Sequence, residues 1–315
     1  MMDAKAIVSK HPWLQHSSSD TVIMGDDLDA ALSTYLYLVK NPAAKLVGIY
    51  TQYKTLFYHS SLSTADLERS IYIDLDIYHP TCRSLGHHIV RNTASDTLIG
   101  HQNSCNPNEI VGRSVTNRFT EKYPLGTIHF LMWLYNEPMP STQFGEYLIW
   151  SADSTFINGQ QHRFQKNVAN WIKNEMPHPP LMQSLQHIDS PKFESEMEQL
   201  QLMLSLLGFQ RGGGQIKSRH KQLTGFLCRP TILSPAGLIK YIHDMFGTIG
   251  SMTGWQLSPG QLDISNLQSQ SGVRRSDSLD TILKNSSLDS FLSAKNVFSY
   301  AIPFRNNINY TVGIL

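Results

Sequence analysis

Thr21-Val22-Ile23-Met24-Gly25-Asp26-Asp27-Leu28-Asp29-Ala30-Ala31-Leu32-Ser33 decides the fold class of this chain. Thr21 to Met24 read as a short strand, and Ala30, Ala31, Leu32, Leu36 and Leu38 as the apolar face of a helix that begins at once. Between them stand the carboxylates of Asp26, Asp27 and Asp29. A strand that turns directly into a helix places the junction at the carboxyl edge of a parallel sheet, where open α/β folds hold their ligands. Carboxylates this close repel one another unless a cation lies among them. The same aspartates also suit a helix N-terminus, as cap and as partners of its dipole. The stretch by itself leaves both readings open.

Working outward, the helix should run from Leu28 to Lys40 and close at Asn41-Pro42, with a second strand over Lys45 to Tyr50. A helix around Ser63 to Arg69 then leads into a third strand, Ser70 to Ile73, which ends in Asp74-Leu75-Asp76. A second acidic strand end changes the odds, because neighbouring parallel strands deliver their carboxyl termini to one rim. His79, Cys82, Arg83, His87 and His88 follow in a mostly irregular segment. Adjacent histidines in a strand would point to opposite faces. Imidazole with carboxylates is the donor set of a manganese- or iron-type hydrolytic centre. Asn92 to Arg118 reads as a polar connector, Tyr123 to Tyr135 as a buried helix in which His129 is a core histidine, and Thr142 to Trp150 as an amphipathic helix. Asp153, just beyond it, is a candidate fourth ligand.

Downstream the pattern turns helical over Gln160 to Asn174, Pro180 to His187 and Lys192 to Leu207. Gly208 to Gln222 combines three consecutive glycines with Arg211, Lys217, Arg219, His220 and Lys221, and suits either an anion contact or a basic linker. Ser234-Pro235 starts a helix through Met245, and strands are expected over Asn296 to Ile302 and Tyr310 to Ile314.

The 315 residues, 41% hydrophobic and 16% charged, describe a globular chain, and a formal charge of +1 argues against a wholly basic nucleic-acid coat. Three scattered cysteines, with no CxxC pair, indicate neither a zinc cluster nor a disulfide framework. No apolar run reaches the eighteen or so residues of a membrane span, so a soluble, cytoplasmic protein without a membrane partner is expected. The fold class expected is α/β, a mainly parallel sheet with flanking helices and a smaller α+β C-terminal domain.

Taken in order, Asp26-Asp27-Leu28-Asp29, Ile73-Asp74-Leu75-Asp76, Gly86-His87-His88-Ile89 and Ala152-Asp153-Ser154-Thr155 resemble motifs one to four of the DHH phosphoesterase superfamily, which includes RecJ-type exonucleases, oligoribonucleases and manganese pyrophosphatases. The resemblance covers Thr21 to Phe156. The expected organisation is therefore a DHH-like metal-binding domain over residues 1–178, then, past a boundary at Pro179-Pro180, a helical and basic connector over 179–230, and the small domain over 231–315. The resemblance further implies one Mn²⁺ or Mg²⁺ held by Asp29, Asp74, His87 and Asp153, and a second held by Asp27 and the shared Asp74, with Asp76 the less favoured bridge. His88 would face the scissile phosphate, and Arg83 would join it in neutralising phosphoryl charge. The activity implied is metal-dependent hydrolysis of a phosphodiester in a nucleotide, short oligonucleotide or nucleic acid.

This chain departs from the family at three points. Ile23 stands where many members have a histidine, Gly86 stands where the family has the Asp of its name, and the interval from Asp74 to His87 is short for the usual intervening helix. These departures motivate an alternative, a degenerate member that binds a nucleotide or a protein partner without hydrolysis. A nucleoside-hydrolase-like site, suggested by Gly25-Asp26-Asp27-Leu28-Asp29-Ala30, lacks the upstream Asp-x-Asp of that family and ranks below both. Oligomeric state is not encoded in any of these motifs.

Overall fold

In the computed structural model, residues 1–15, 20–160, 164–206, 209–212, 215–217, 222–224, 227–230 and 234–315 are described. The side chains of the glycine-rich basic stretch, Gly208 to Gln222, therefore lie outside the described residues. The strands are, in chain order, β1 (Thr21–Met24), β2 (Lys45–Thr51), β3 (Thr55–His59), β4 (Ile71–Ile73), β5 (Arg83–Leu85), β6 (Ser104–Cys105), β7 (Phe209–Gly212), β8 (Gln215–Lys217), β9 (Gln222–Thr224), β10 (Leu227–Pro230), β11 (Leu267–Ser271), β12 (Val273–Asp277), β13 (Val297–Phe304) and β14 (Asn307–Val312). The chain is an α/β protein with a seven-stranded, mostly parallel sheet of order β11-β3-β2-β1-β4-β5-β6 and a three-stranded antiparallel sheet of order β12-β14-β13. Among the described residues, no helix is long and apolar enough to cross a membrane.

Two compact units divide the chain, and each contains distant segments. One unit comprises Asp3–Gly25, Ala43–Tyr123 and Gly260–Leu315 and holds both of these sheets. Strands β2, β1, β4, β5 and β6 pair in parallel, and the antiparallel strands β3 and β11 extend one edge. Val22, Ile23 and Met24 are fully buried, as a central strand covered on both faces requires. On one face Ile23, Val47 and Tyr72 pack with Phe298 of β13, whose ring meets Tyr50 and Tyr72 edge-on at 5.6 Å in each case. β13 also bonds to the chain beyond β4, through Tyr78 N–H to the Phe298 carbonyl at 2.7 Å and Tyr300 N–H to the Asp76 carbonyl at 3.2 Å. The C-terminal sheet thus fixes the backbone of the segment that carries Asp76.

Gly48 of β2 lies against β3 so closely that a Cβ there would stand 2.5 Å from the Phe57 carbonyl oxygen. Gly48→Ala should separate these strands and lower stability by about 1–3 kcal/mol, measured by urea denaturation. Stability within about 0.3 kcal/mol of the parent would show that the pairing yields without cost.

The other unit comprises Met1–Met2, Asp26–Pro42 and Pro124–Pro259 and is mainly helical. Its centre is the Leu28–Lys40 helix, capped by Asp27 and closed by Asn41, and buried from Leu28 to Leu38. A helix buried on every side belongs inside a bundle, and this one packs against helices Thr127–Leu134, Gln143–Ser151 and Pro235–Thr253. The last of these runs eight residues past the expected Met245. Gly250 is what makes room there, since its backbone lies beside the Tyr35 hydroxyl. His129 is fully buried, with Thr155 Oγ1 at 3.3 Å from Nε2, in keeping with a core role.

Candidate metal centre

In the sheet-bearing unit, β4 ends at Ile73, and Asp74 takes a left-handed conformation, φ 61°. Aspartate enters this region more readily than most residues with a side chain, and here it ends the strand. Asp74 is buried, and its Oδ1 lies 3.1 Å from His87 Nδ1. Asp76, two residues on, is also buried and engages His88: Oδ2 accepts from the His88 backbone N–H at 3.2 Å and lies 3.0 Å from Nδ1. Each histidine therefore has its own aspartate. The strand preceding the histidines ends at Leu85, so His87 and His88 lie in irregular backbone, as the sequence suggests, and their rings stack, with centroids 4.4 Å apart.

Side-chain amides from the Pro107–Ile110 region complete this arrangement. Asn106 Nδ2 donates to Asp76 Oδ1 and to the His88 carbonyl, each at 2.8 Å. Asn108 Nδ2 donates to the His87 carbonyl at 2.7 Å, and its Oδ1 accepts from Tyr123 N–H at 2.7 Å. The connector expected over Asn92 to Arg118 thus supplies structural contacts to both histidines. Burial pushes the Asp76 carboxyl up, but the hydrogen bond and charge of His88, with smaller contributions from His101 and His87, more than offset it and hold the group below its ordinary value.

Arg83 is placed elsewhere. It is the first residue of β5, paired with Ile71 at the amino end of β4, whereas Asp74 and His87 follow the carboxyl ends of those strands. Its guanidinium donates to Asp20 Oδ1 at 3.0 Å and to the Arg69 carbonyl, and lines a cleft with Asp20, Thr21, Asp66, Arg69 and Thr81. Arg83 is thus not beside His88, as its expected phosphate-neutralising role requires: the β4 register fixes it at the opposite rim of the parallel strands.

In the helical unit, Asp26, Asp27 and Asp29 are all buried. Asp27 Oδ1 accepts from Ala30 N–H at 3.0 Å, the cap of the Leu28–Lys40 helix. Asp29 bonds across the unit: Oδ2 accepts from Thr127 N–H at 2.6 Å, and Oδ1 accepts from Ile128 N–H at 2.9 Å and from Ser33 Oγ at 3.2 Å. It thereby serves the N-terminus of the Thr127–Leu134 helix, where Gly126 offers no capping side chain. Asp153 sits at a kink between helices with a left-handed φ of 50°, the second candidate ligand in that region. Burial, and then the charges of Asp153, Asp29 and Asp26, push the Asp27 carboxyl up to about 7, against a smaller lowering by the Ala30 amide. Asp26 was not assigned a role from sequence, yet it belongs to this group.

No known family model, characterised protein or solved structure gives a significant match to this chain.

Proposed function

We propose that this chain is a metal-dependent phosphohydrolase that cleaves a phosphodiester in a nucleotide, short oligonucleotide or nucleic acid, as its resemblance to the DHH phosphoesterases implies. The observation that carries the reading is the position of Asp27, a carboxylate buried among three others and pushed up to about 7 by burial and their charge. Such a group relaxes when a cation joins it. In the other unit, a second buried carboxylate, Asp74, is joined to an imidazole. The donor chemistry, carboxylate oxygen with imidazole nitrogen, suits Mn²⁺ and accommodates Mg²⁺. Asp29, Asp74, His87 and Asp153 would hold one ion, and Asp27 with Asp74 a second.

A divalent cation bound there lowers the pKa of water and offsets phosphoryl charge. The chain's own groups supply the rest. His88, with part of its ring exposed, is the group to meet the phosphate, to take a proton from the attacking water at its open ring nitrogen and to return it to the leaving oxygen.

The test is hydrolysis of a panel of cyclic dinucleotides, dinucleotides and short oligonucleotides with Mn²⁺ or Mg²⁺. Turnover should depend on the metal and fall by about 100-fold or more in His87→Ala. Turnover that survives chelation would sink the metal-dependent reading.

One observation favours the second reading, nucleotide or partner binding without turnover. Ile23, at the position of a family ligand, is fully buried in the apolar core with Tyr72 and Phe298 and offers no donor. Retention of a nucleotide by the metal-loaded chain with no product formed would establish that reading over the first.

A further inference from the structure

Gly86 lies between the end of β5 and the two histidines, and its missing side chain has been replaced in space. A Cβ built at position 86 would overlap Oδ1, Cγ and Oδ2 of Asp76. That carboxylate, held on the chain beyond β4, therefore occupies the volume that a side chain at 86 would fill. Its two oxygens are fully engaged: Oδ2 with the backbone N–H and Nδ1 of His88, Oδ1 with Asn106. Asn106 reaches in turn to the His88 carbonyl. His88 is thus gripped at its amide, its carbonyl and one ring nitrogen, while its side chain remains 35% exposed. The support is rigid, because the Asp76 carbonyl accepts from Tyr300 N–H of β13 and Asp76 itself is buried.

A carboxylate facing Nδ1 makes that nitrogen the proton-bearing one and leaves Nε2 as the nitrogen available to a ligand. We propose that Asp76 is a positioning residue for His88, fixing its tautomer and ring orientation from the β4 end, and that glycine is required at 86 because any side chain there displaces the Asp76 carboxylate. The catalytic consequence rests on the phosphohydrolase reading; the tautomer does not.

The experiment uses the full chain without metal at about pH 8.5, where a free imidazole is neutral. Long-range ¹⁵N–¹H spectra report which ring nitrogen of His88 carries the proton, the signal being assigned by its loss in His88→Gln. The parent should show the Nδ1–H form. Asp76→Ala, which removes the acceptor, and Gly86→Ala should both move His88 towards the Nε2–H form. With Mn²⁺ and a phosphodiester, both should lose about 100-fold in kcat while KM stays within about twofold. The double variant Asp76→Gly/Gly86→Asp returns a carboxylate to the same place from the other side and should recover the Nδ1–H signal, which separates a lost carboxylate from a damaged fold. An unchanged His88 spectrum in Asp76→Ala, or a double variant that folds but stays in the Nε2–H form, would overturn the proposal. Spectra as expected in a chain that hydrolyses nothing would uphold the positioning and remove the phosphohydrolase reading instead.

Discussion

Asp29→Ala is expected to lower the stability of the metal-free chain by about 3–5 kcal/mol, before any metal is considered. Asp29 is 1% exposed, and its two oxygens receive the amides of Thr127 and Ile128 and the Ser33 hydroxyl. These amides open a helix whose N-cap position cannot cap it, since Gly126 has no side chain. Removing the carboxylate strands two buried donors, each worth about 1–3 kcal/mol, and the charge that balanced the helix dipole goes with it. Asp29→Asn keeps one acceptor oxygen and should cost about half as much.

The same geometry offers a repair. A Cβ on Gly126 would lie 2.6–2.7 Å from the Asp29 carboxylate atoms, so Gly126→Ser alone should destabilise. In an Asp29→Ala background the space is vacant, and the serine hydroxyl can cap the helix in place of the lost carboxylate. Equilibrium denaturation of the four proteins should therefore show strong coupling, with the double variant more stable than Asp29→Ala alone. Additive losses would show that Asp29 does not act as this cap. The repaired double variant also isolates the metal question, because it restores the helix without restoring a ligand.

The dual use of Asp29 marks the boundary of what the sequence reveals. The run from Thr21 to Lys40 is legible because its strand, cap and helix are written in contiguous residues, and both elements form with the expected limits. The acidic end of β4 is legible for the same reason. The backbone amides that Asp29 receives, however, stand 98 and 99 residues away, and nothing local announces them. β5 and β6 span three and two residues, too few for any periodicity, and exist because parallel neighbours supply their hydrogen bonds. Arg83 was misplaced on that account, as its register with Ile71 is set by pairing rather than by its closeness in sequence to His87. Gly86 reads as a loss until Asp76 is seen in its place, and that exchange between two strand ends leaves no local trace. Gly247 and Gly250 look like helix breakers, but the Pro235–Thr253 helix continues through them.

Metal affinity should rise about tenfold per pH unit between about pH 4 and about pH 7 on account of Asp27, and level off above. In the unfolded chain its carboxyl ionises near 3.8, whereas in the folded chain it holds its proton until about 7. Across that window folding takes up a proton, so the metal-free protein should lose stability as pH rises from about 4 to about 7, the reverse of the usual behaviour of a salt-bridged aspartate. A bound divalent cation requires the ionised form and displaces the proton, which reverses the slope. Asp27→Asn separates these effects cleanly, because asparagine caps a helix as well as aspartate does and carries no charge to bury. At about pH 8 with chelator this variant should be more stable than the parent, by on the order of 2–4 kcal/mol, and its melting temperature should respond little to Mn²⁺. Thermal melts of both proteins from about pH 5 to about pH 8, with Mn²⁺ and with chelator, decide the matter. If the parent is no less stable than Asp27→Asn in chelator, and Mn²⁺ raises both melting temperatures equally, the carboxylates of this unit are satisfied within the protein and hold no metal.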